Sequence, residues 1–217
     1  MQVLKASPEA IAFALEILKL GGIVAHATET CYGLACDMTN REAVEKLFKV
    51  KNRVADQPVS ALFPSIKASE EWVEWCPEAL ELAKAELPGP LTIILPIKES
   101  KCESVFPIPT FGIRNPESER RRTLGIRVSP HPIAIELAKQ FGRPISTTSA
   151  NISGEPSPYS VEEIQMQFTA SATSAAESRG FPLREQPDLI IDSGTLENKP
   201  PSKVVLFEDG EMRVLRS

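Results

Sequence analysis

Ile133-Ala-Ile-Glu-Leu-Ala-Lys-Gln-Phe141-Gly142-Arg-Pro144-Ile-Ser-Thr-Thr-Ser149-Ala-Asn-Ile-Ser-Gly154-Glu-Pro-Ser-Pro158 is the stretch that decides the fold. Ile133, Ile135, Leu137, Ala138 and Phe141 space as one helix face, and Gly142 stands where a left-handed cap ends a helix. A strand is expected from Pro144. The residues beyond Ile145 are too polar for a buried strand: Ser146, Thr147, Thr148, Ser149 and Ser153 bring five hydroxyls, Asn151 an amide, and Gly154 closes the nine residues. Neutral donors and acceptors of this size suit a wall beside a ligand's oxygens, and Gly154 allows close backbone approach. The plainer reading is a polar turn. Crevices outside the carboxyl ends of α/β strands are also where ligands sit.

On either side of this stretch, helices and strands alternate. Ser7-Pro8 opens a helix with apolar Ile11, Ala14, Leu15 and Leu18, which stops at Gly21-Gly22. Ile23 to Ala25 is a short buried strand running into the polar segment His26 to Gly33. Asn40 caps a helix from Arg41 to Lys51, and Lys51-Asn-Arg53 follows at its exit. Val59–Phe63 and Leu91–Leu95 are expected strands, and Trp72 to Leu87 are expected helical segments broken by Pro77. Residues 96–122 form a long excursion, a candidate lid, ending in Arg120-Arg121-Arg122. Leu124 to Val128 is a strand containing Arg127, and Ser129-Pro-His-Pro132 opens the helix of the first stretch. Val161 to Phe168 is helical, 169–185 is a mobile segment of low hydrophobicity, and Asp188–Ile191, Val204–Phe207 and Met212–Leu215 are strands, with Glu208-Asp-Gly210 as a turn. The class is α/β, with no repeat and no interdomain linker.

Composition bounds the function. A chain of 217 residues with 42% apolar residues builds a substantial core. Lys and Arg number 24 against 29 acids, and the net charge of −5 argues against wholesale coating of nucleic acid. Cys31, Cys36, Cys76 and Cys102 are too scattered for a disulfide scaffold and read as free thiols, so a cytoplasmic location is expected. Neither a signal segment nor a membrane span is present, so no membrane partner is expected. There is no G-x-x-x-x-G-K-[ST], no G-x-G-x-x-G and no G-x-S-x-G. His26, Cys31 and Cys36 lack a fourth ligand and favour core thiols over zinc; His131 is a helix-start residue. Anion-handling groups remain, spread over strand ends: Thr28 to Tyr32, Lys51 and Arg53, Arg127, and the hydroxyls of 147–151.

Taken in order, these match a family. Thr28-Glu-Thr-Cys-Tyr-Gly-Leu34, Lys51-Asn-Arg53, Ile126-Arg-Val-Ser-Pro-His-Pro132 and Ser149-Ala-Asn-Ile-Ser-Gly154 resemble, in sequence order, the motifs of the YrdC-like (YrdC/TsaC) threonylcarbamoyl-AMP synthases. The resemblance implies a single YrdC-like domain over 1–217, with a twisted mixed open sheet flanked by helices around a large central cavity. It implies a nucleotidyltransferase that converts L-threonine, bicarbonate and ATP to threonylcarbamoyl-adenylate and pyrophosphate, for threonylcarbamoyladenosine in tRNA. Its partner would be the threonylcarbamoyl transferase machinery that modifies tRNA. It further implies that Thr28, Tyr32, Arg127 and Thr147 hold L-threonine. Lys51, Thr123, Ser149, Ser157 and Ser202 would hold the nucleotide, and Lys51, Arg53 and Asn151 the reacting groups. No side chain is assigned as a metal ligand, since Mg²⁺ would sit on substrate phosphates and water.

The chain departs from the pattern at Ala27 and Val54, where proline is usual, and in lacking a histidine after Pro58. Segments 97–122 and 169–186 look longer than usual, and the C-terminal domain of longer members is expected to be absent. A paralogous branch departs at K-x-R and S-x-N, both kept here. The alternatives are a double-stranded RNA or tRNA-binding or ribosome-maturation protein, extended by Arg114 and Arg120–Arg122, and a transferase acting on another amino acid. Weak binding of tRNA or duplex RNA is expected beside the synthase activity.

Overall fold

The computed structural model describes residues 1–52, 59–105, 122–169, 185–208 and 211–217. An edge strand β1 (Gln2–Lys5) leads to α1 (Pro8–Lys19), where Ser7 Oγ accepts from the Ala10 N–H at 3.1 Å and Pro8 fills the first turn. Strands β2 (Val24–Ala27) and β3 (Tyr32–Ala35) follow as an antiparallel pair, then α2 (Arg41–Val50), capped by Asn40 Oδ1. Next come β4 (Ser60–Leu62), α3 (Ile66–Ser69), α4 (Pro77–Glu86), β5 (Leu91–Pro96), β6 (Thr123–Arg127), α5 (Pro132–Phe141) and β7 (Ile145–Ser149). The chain closes with α6 (Val161–Thr169), β8 (Leu189–Asp192), β9 (Lys203–Glu208) and β10 (Glu211–Arg216).

These strands form one sheet in the order β1-β8-β2-β3-β7-β4-β6-β5-β9-β10. Parallel and antiparallel pairs are mixed within it, so the expected mixed, helix-flanked sheet is what the chain forms. Among the described residues no helix is long and apolar enough to cross a membrane.

Two-residue alternation divides the side chains between two faces. On one face Leu34, Ala61, Ile93, Ile126 and Val205 join α2, α4 and α6 in the larger core. On the other, Val24, Ala35, Leu62, Ile145 and Leu189 pack under α1 and α5, which contribute Leu15, Leu18, Leu137 and Phe141. Along β4 and β7 this second face then changes character. Register pairs Leu62 with Ile145 but Ser60 with Thr147, so one step of two residues turns the face from apolar to hydroxyl-lined.

Three expectations change. β7 is a strand despite its hydroxyls, because β3 and β4 satisfy its backbone on both edges. Ser146, fully buried, donates to the Leu34 carbonyl (3.0 Å) and accepts from Cys36 N–H (2.8 Å). Pro77 begins α4 rather than breaking a longer helix, since its missing N–H is not needed there, and Val73 instead bridges to Ile97. The segment after Ala27 turns back at once as β3. Residues 106–121, most of the expected lid, and most of the segment 169–186 lie outside the described residues, as do residues 209 and 210 of the expected turn. Arg122, grouped with a basic surface in the sequence, directs its guanidinium to the carbonyls of Cys102 and Val105.

Leu137 is fully buried between α5 and the sheet, whereas Leu20 is 86% exposed. Leu137→Ala is expected to lower unfolding free energy by about 2–5 kcal/mol, and Leu20→Ala to change it by less than about 0.5 kcal/mol, measured by urea denaturation.

Candidate active site

The hydroxyl-lined part of the second face is the floor of a cavity of about 360 Å³. Ser60 of β4, Thr92 of β5, Arg127 of β6, and Thr147 and Ser149 of β7 line it, with Ser157, Ser202, Lys199 and Arg216 around them. Gly125 keeps this floor open: a Cβ there would lie 3.0 Å from Ser60 Oγ and 3.1 Å from Thr92 Cγ2. Of the residues expected from sequence, the cavity therefore brings together Arg127, Thr147, Ser149, Ser157 and Ser202.

Others stand behind the lining. Lys51 is buried at the end of α2, and its Nζ donates to the carbonyls of Ser149 (2.5 Å) and Asn151 (2.9 Å) and to Asn151 Oδ1 (3.1 Å). It is thus no solvated helix end. Asn151 Oδ1 also accepts from Ser149 Oγ (2.6 Å), while its Nδ2 donates to the Glu155 carbonyl. Thr28 closes the turn between β2 and β3: its Oγ1 accepts from the N–H groups of Thr30 (3.2 Å) and Cys31 (3.3 Å) and donates to the Cys31 carbonyl (2.7 Å). Tyr32 points to the other face, where its hydroxyl donates to the Gly194 carbonyl (2.8 Å) and accepts from Ser193 N–H (2.9 Å). Thr123 is buried on the Arg127 side of β6, with Oγ1 unpartnered. Arg53 lies outside the described residues.

Sequence reasoning passed over Ser60, Thr92, Lys199 and Arg216. Ser60 and Thr92 carried a signal, being single hydroxyls inside apolar strands; Arg216 carried none, since it lies just past the strand expected at 212–215. Its Nε donates to the Ser202 carbonyl (2.8 Å) and its Nη2 meets Ser202 Oγ (3.1 Å). Burial, and after it the like charge of Arg127, depress the Arg216 guanidinium below its usual range. Two guanidiniums and the Lys199 ammonium therefore line one cavity, which favours an anionic guest. Arg127 Nη2 donates to Glu29 and to Thr30 Oγ1 (3.3 Å).

Cys31 also lines the cavity, and burial raises its thiol, which keeps it protonated and a poor nucleophile. His26 is fully buried on the cavity side of β2, with Nδ1 donating to the Ala27 carbonyl (3.0 Å) and Nε2 unpartnered. Burial pulls its pKa down to about 4, aided by the positive field of His131 and Arg127 and opposed by Glu29.

These features yield two expectations. Lys51→Met leaves three buried acceptors short of a donor and is expected to cost about 2–4 kcal/mol of stability, against less than about 0.5 for exposed Lys49→Met. Parallel chemical melts would show no such gap if Lys51 were peripheral. For His26, the unfolded imidazole titrates near 6.5 and the folded one near 4. Between these values the unfolded chain binds more protons, so stability falls as pH drops through that window, by on the order of 3 kcal/mol in all. Urea unfolding from pH 7 to pH 4 should show this slope in the wild type and a flatter one in His26→Gln; equal slopes would disprove it.

Known proteins share this sequence and this architecture. The Sua5/YciO/YrdC family model, described as "Telomere recombination", matches residues 16–217. The threonylcarbamoyl-AMP synthase of Pyrococcus abyssi is 33% identical over 214 residues, covering 94% of this chain and 58% of that protein. The synthase of Bacillus subtilis is 37% identical over 155 residues, covering 71% and 42%. The chain thus spans about half the length of these two curated relatives. The Vibrio vulnificus synthase, 31% identical over 184 residues, matches across 92% of its own length. Among solved structures, P. abyssi Sua5 complexed with L-threonine superposes with a TM-score of 0.78 at 30% identity, over 99% of this chain and 56% of that one. E. coli YciO does so with a TM-score of 0.73 at 25% identity, over 99% and 92%.

Proposed function

The chain belongs to the Sua5/YciO/YrdC family, and we propose that it is a threonylcarbamoyl-AMP synthase, a nucleotidyltransferase built as one domain over residues 1–217. The observation that carries this reading is the pair of guanidiniums, Arg127 and Arg216, facing one cavity whose other polar side chains are mostly hydroxyls. The names of the three curated relatives support the same reading, and none of them is named as an RNA-binding module. Arg114, Arg120 and Arg121, on which an RNA surface would draw, lie outside the described residues.

The chemistry fits these groups. The amine of L-threonine combines with bicarbonate to give a carbamate and water. A carbamate oxygen then attacks the α-phosphorus of ATP, and pyrophosphate leaves with the electron pair of the broken P–O bond. Negative charge is held on several oxygens at once, which calls for fixed cations and neutral donors in a water-poor site. Arg127 offers the amino acid's carboxylate a planar fork, with Thr147 beside it. Ser149, Ser157, Ser202 and Arg216 offer donors to the nucleotide's phosphates. Arg53 and Asn151 are assigned to the reacting groups by their motif positions. Lys51 and Asn151 also act from behind by fixing Ser149. Thr28 orders the turn that carries Thr30 and Cys31, Tyr32 anchors the segment at Gly194, and Thr123 lies next to the floor.

Among the described residues the lining contains no carboxylate, and no group of three His, Cys, Asp or Glu could hold a metal ion. Mg²⁺ would accordingly arrive on the ATP phosphates, with water completing its shell. The product is a reactive adenylate for tRNA-modifying transferase machinery in the cytoplasm.

Pyrophosphate release from ATP, measured with each of the twenty amino acids with and without bicarbonate, tests the reading. Release is expected only when L-threonine and bicarbonate are both present. Release indifferent to either would remove the assignment.

A further inference from the structure

The proposed reaction gives the cavity two anionic guests of different kind, a monocarboxylate and a polyphosphate, and two guanidiniums to receive them. Their surroundings differ. Among the described residues Arg216 meets only neutral oxygens, the carbonyl and hydroxyl of Ser202. Arg127 is already joined to a carboxylate: its Nη2 donates to Glu29 Oε1, and both side chains are about nine-tenths buried, 11% and 10% exposed.

The pair is built with care by the fold. Glu29 and Thr30 sit in the turn between β2 and β3 that Thr28 locks with its hydroxyl. Arg127 ends β6, and in the sheet β3 and β6 are separated by β7 and β4. Three inter-strand spacings amount to about 14 Å, so the ion pair is a strut across the concave face. Stability alone does not account for it, because a buried ion pair is often no more stabilising than apolar residues of the same volume. The strut is also incompletely satisfied: Glu29 Oε2 and Arg127 Nε are buried without a partner.

We propose that Glu29 sorts the two guanidiniums between the two substrates, reserving Arg127 for the amino acid's monocarboxylate and leaving Arg216 to phosphate. This rests on the synthase reading, in that it takes the cavity to receive an amino acid and a nucleotide. The pair Arg127–Glu29 carries no net charge. A polyanion approaching it meets the Glu29 carboxylate as well as the guanidinium, so the attraction is cancelled and only repulsion between close oxygens remains. A monocarboxylate needs less net charge, because directed hydrogen bonds from the rest of the planar fork hold it. Glu29 fixes one edge of that fork and so sets where the remaining donors point. Arg216 has no carboxylate partner among the described residues and is the natural seat of a polyphosphate. Glu29 is in this sense a positioning and specificity residue, acting on substrate through Arg127.

The test is a calorimetric titration of L-threonine into the whole chain without ATP, in the presence and absence of inorganic phosphate. In the wild type, phosphate should change the L-threonine affinity by less than about twofold. In Glu29→Gln the affinity should fall on the order of tenfold, because the fork loses the partner that fixes where its remaining donors point, and phosphate should now compete with L-threonine. Glu29→Asp keeps the charge but is one methylene shorter, so it should weaken L-threonine without admitting phosphate. Wild-type affinity in Glu29→Gln overturns the proposal, and so does a weakened affinity that phosphate leaves untouched, which is what a merely structural pair would give. Should Glu29→Gln fail to fold, Glu29→Asp decides: unchanged L-threonine affinity, or competition by phosphate, refutes the proposal, and weakened affinity without competition supports it. A wild-type chain that binds no L-threonine would sink the synthase reading itself, whereas wild-type binding with an unaffected Glu29→Gln sinks this inference alone.

Discussion

An ammonium group enters a protein interior only when its protons are taken up there, and Lys51 meets this condition on the backbone of a single stretch. Three of its contacts fall on Ser149 and Asn151. The same residue's carbonyl accepts from Ser153 N–H at 2.8 Å, and Ala150 N–H donates to the Tyr32 carbonyl of β3 at 2.8 Å. The exit of α2, the end of β7 and the loop behind it are therefore one unit, and β3 is joined to it. Charge-assisted bonds to carbonyls are stronger than neutral ones, and in a buried setting they hold geometry as well as energy. The position of the Ser149 hydroxyl in the cavity thus depends on a cation that does not itself line it.

The cavity repeats this logic with the opposite balance. Lys51 has acceptors enough, whereas Arg216, an exposed residue near the like charge of Arg127, meets among the described residues the neutral oxygens of Ser202. An anion entering beside Arg216 supplies the counter-charge that its neutral partners do not, so the arrangement favours binding over rest. It also explains why the surrounding side chains are hydroxyls. Carboxylates in the lining would have neutralised Arg216 in advance, and apolar groups would have left ligand oxygens unpaired. Ser60, Thr92, Thr147 and Ser157 avoid both.

Much of this was legible in the chain. The apolar spacing of α1, α2 and α5, with Ser7, Asn40 and Gly142 at their ends, located the helices because caps and periodicity are local properties. Of the residues lining the cavity, Arg127 and Ser149 stand in the quoted motifs, and Ser202 was implied by the family resemblance. Less legible were features settled by distant neighbours. The hydroxyls of β7 argued against a strand, and only pairing with β3 and β4, more than eighty residues back in the chain, overrules that. Lys51 follows a helix as many solvated lysines do, and its burial is set by residues about a hundred positions away. Arg216 belongs to the cavity because β10 pairs with β9, and β9 with β5; nothing in its immediate sequence marks it.

The distribution of unpaired groups ties stability to function. Among the described residues, the buried side-chain atoms without a hydrogen-bond partner are His26 Nε2, Glu29 Oε2, Thr123 Oγ1, Arg127 Nε and Ser193 Oγ. His26, Thr123 and Arg127 share the second face of the sheet, Glu29 is bound to Arg127, and Ser193 adjoins the Tyr32 hydroxyl. Each such atom costs on the order of 1–3 kcal/mol, a large share of what keeps a domain folded. Scattered at random they would suggest poor packing, but four of the five, all but Ser193 Oγ, belong to strands β2 and β6 and the turn after β2, on the face that carries the cavity. Unmet hydrogen-bonding capacity concentrated in one region marks it as the part of the molecule completed by something other than its own chain. The helices α1 and α5 supply the apolar burial on the second face that makes this local deficit tolerable, and the site lies where their cover ends.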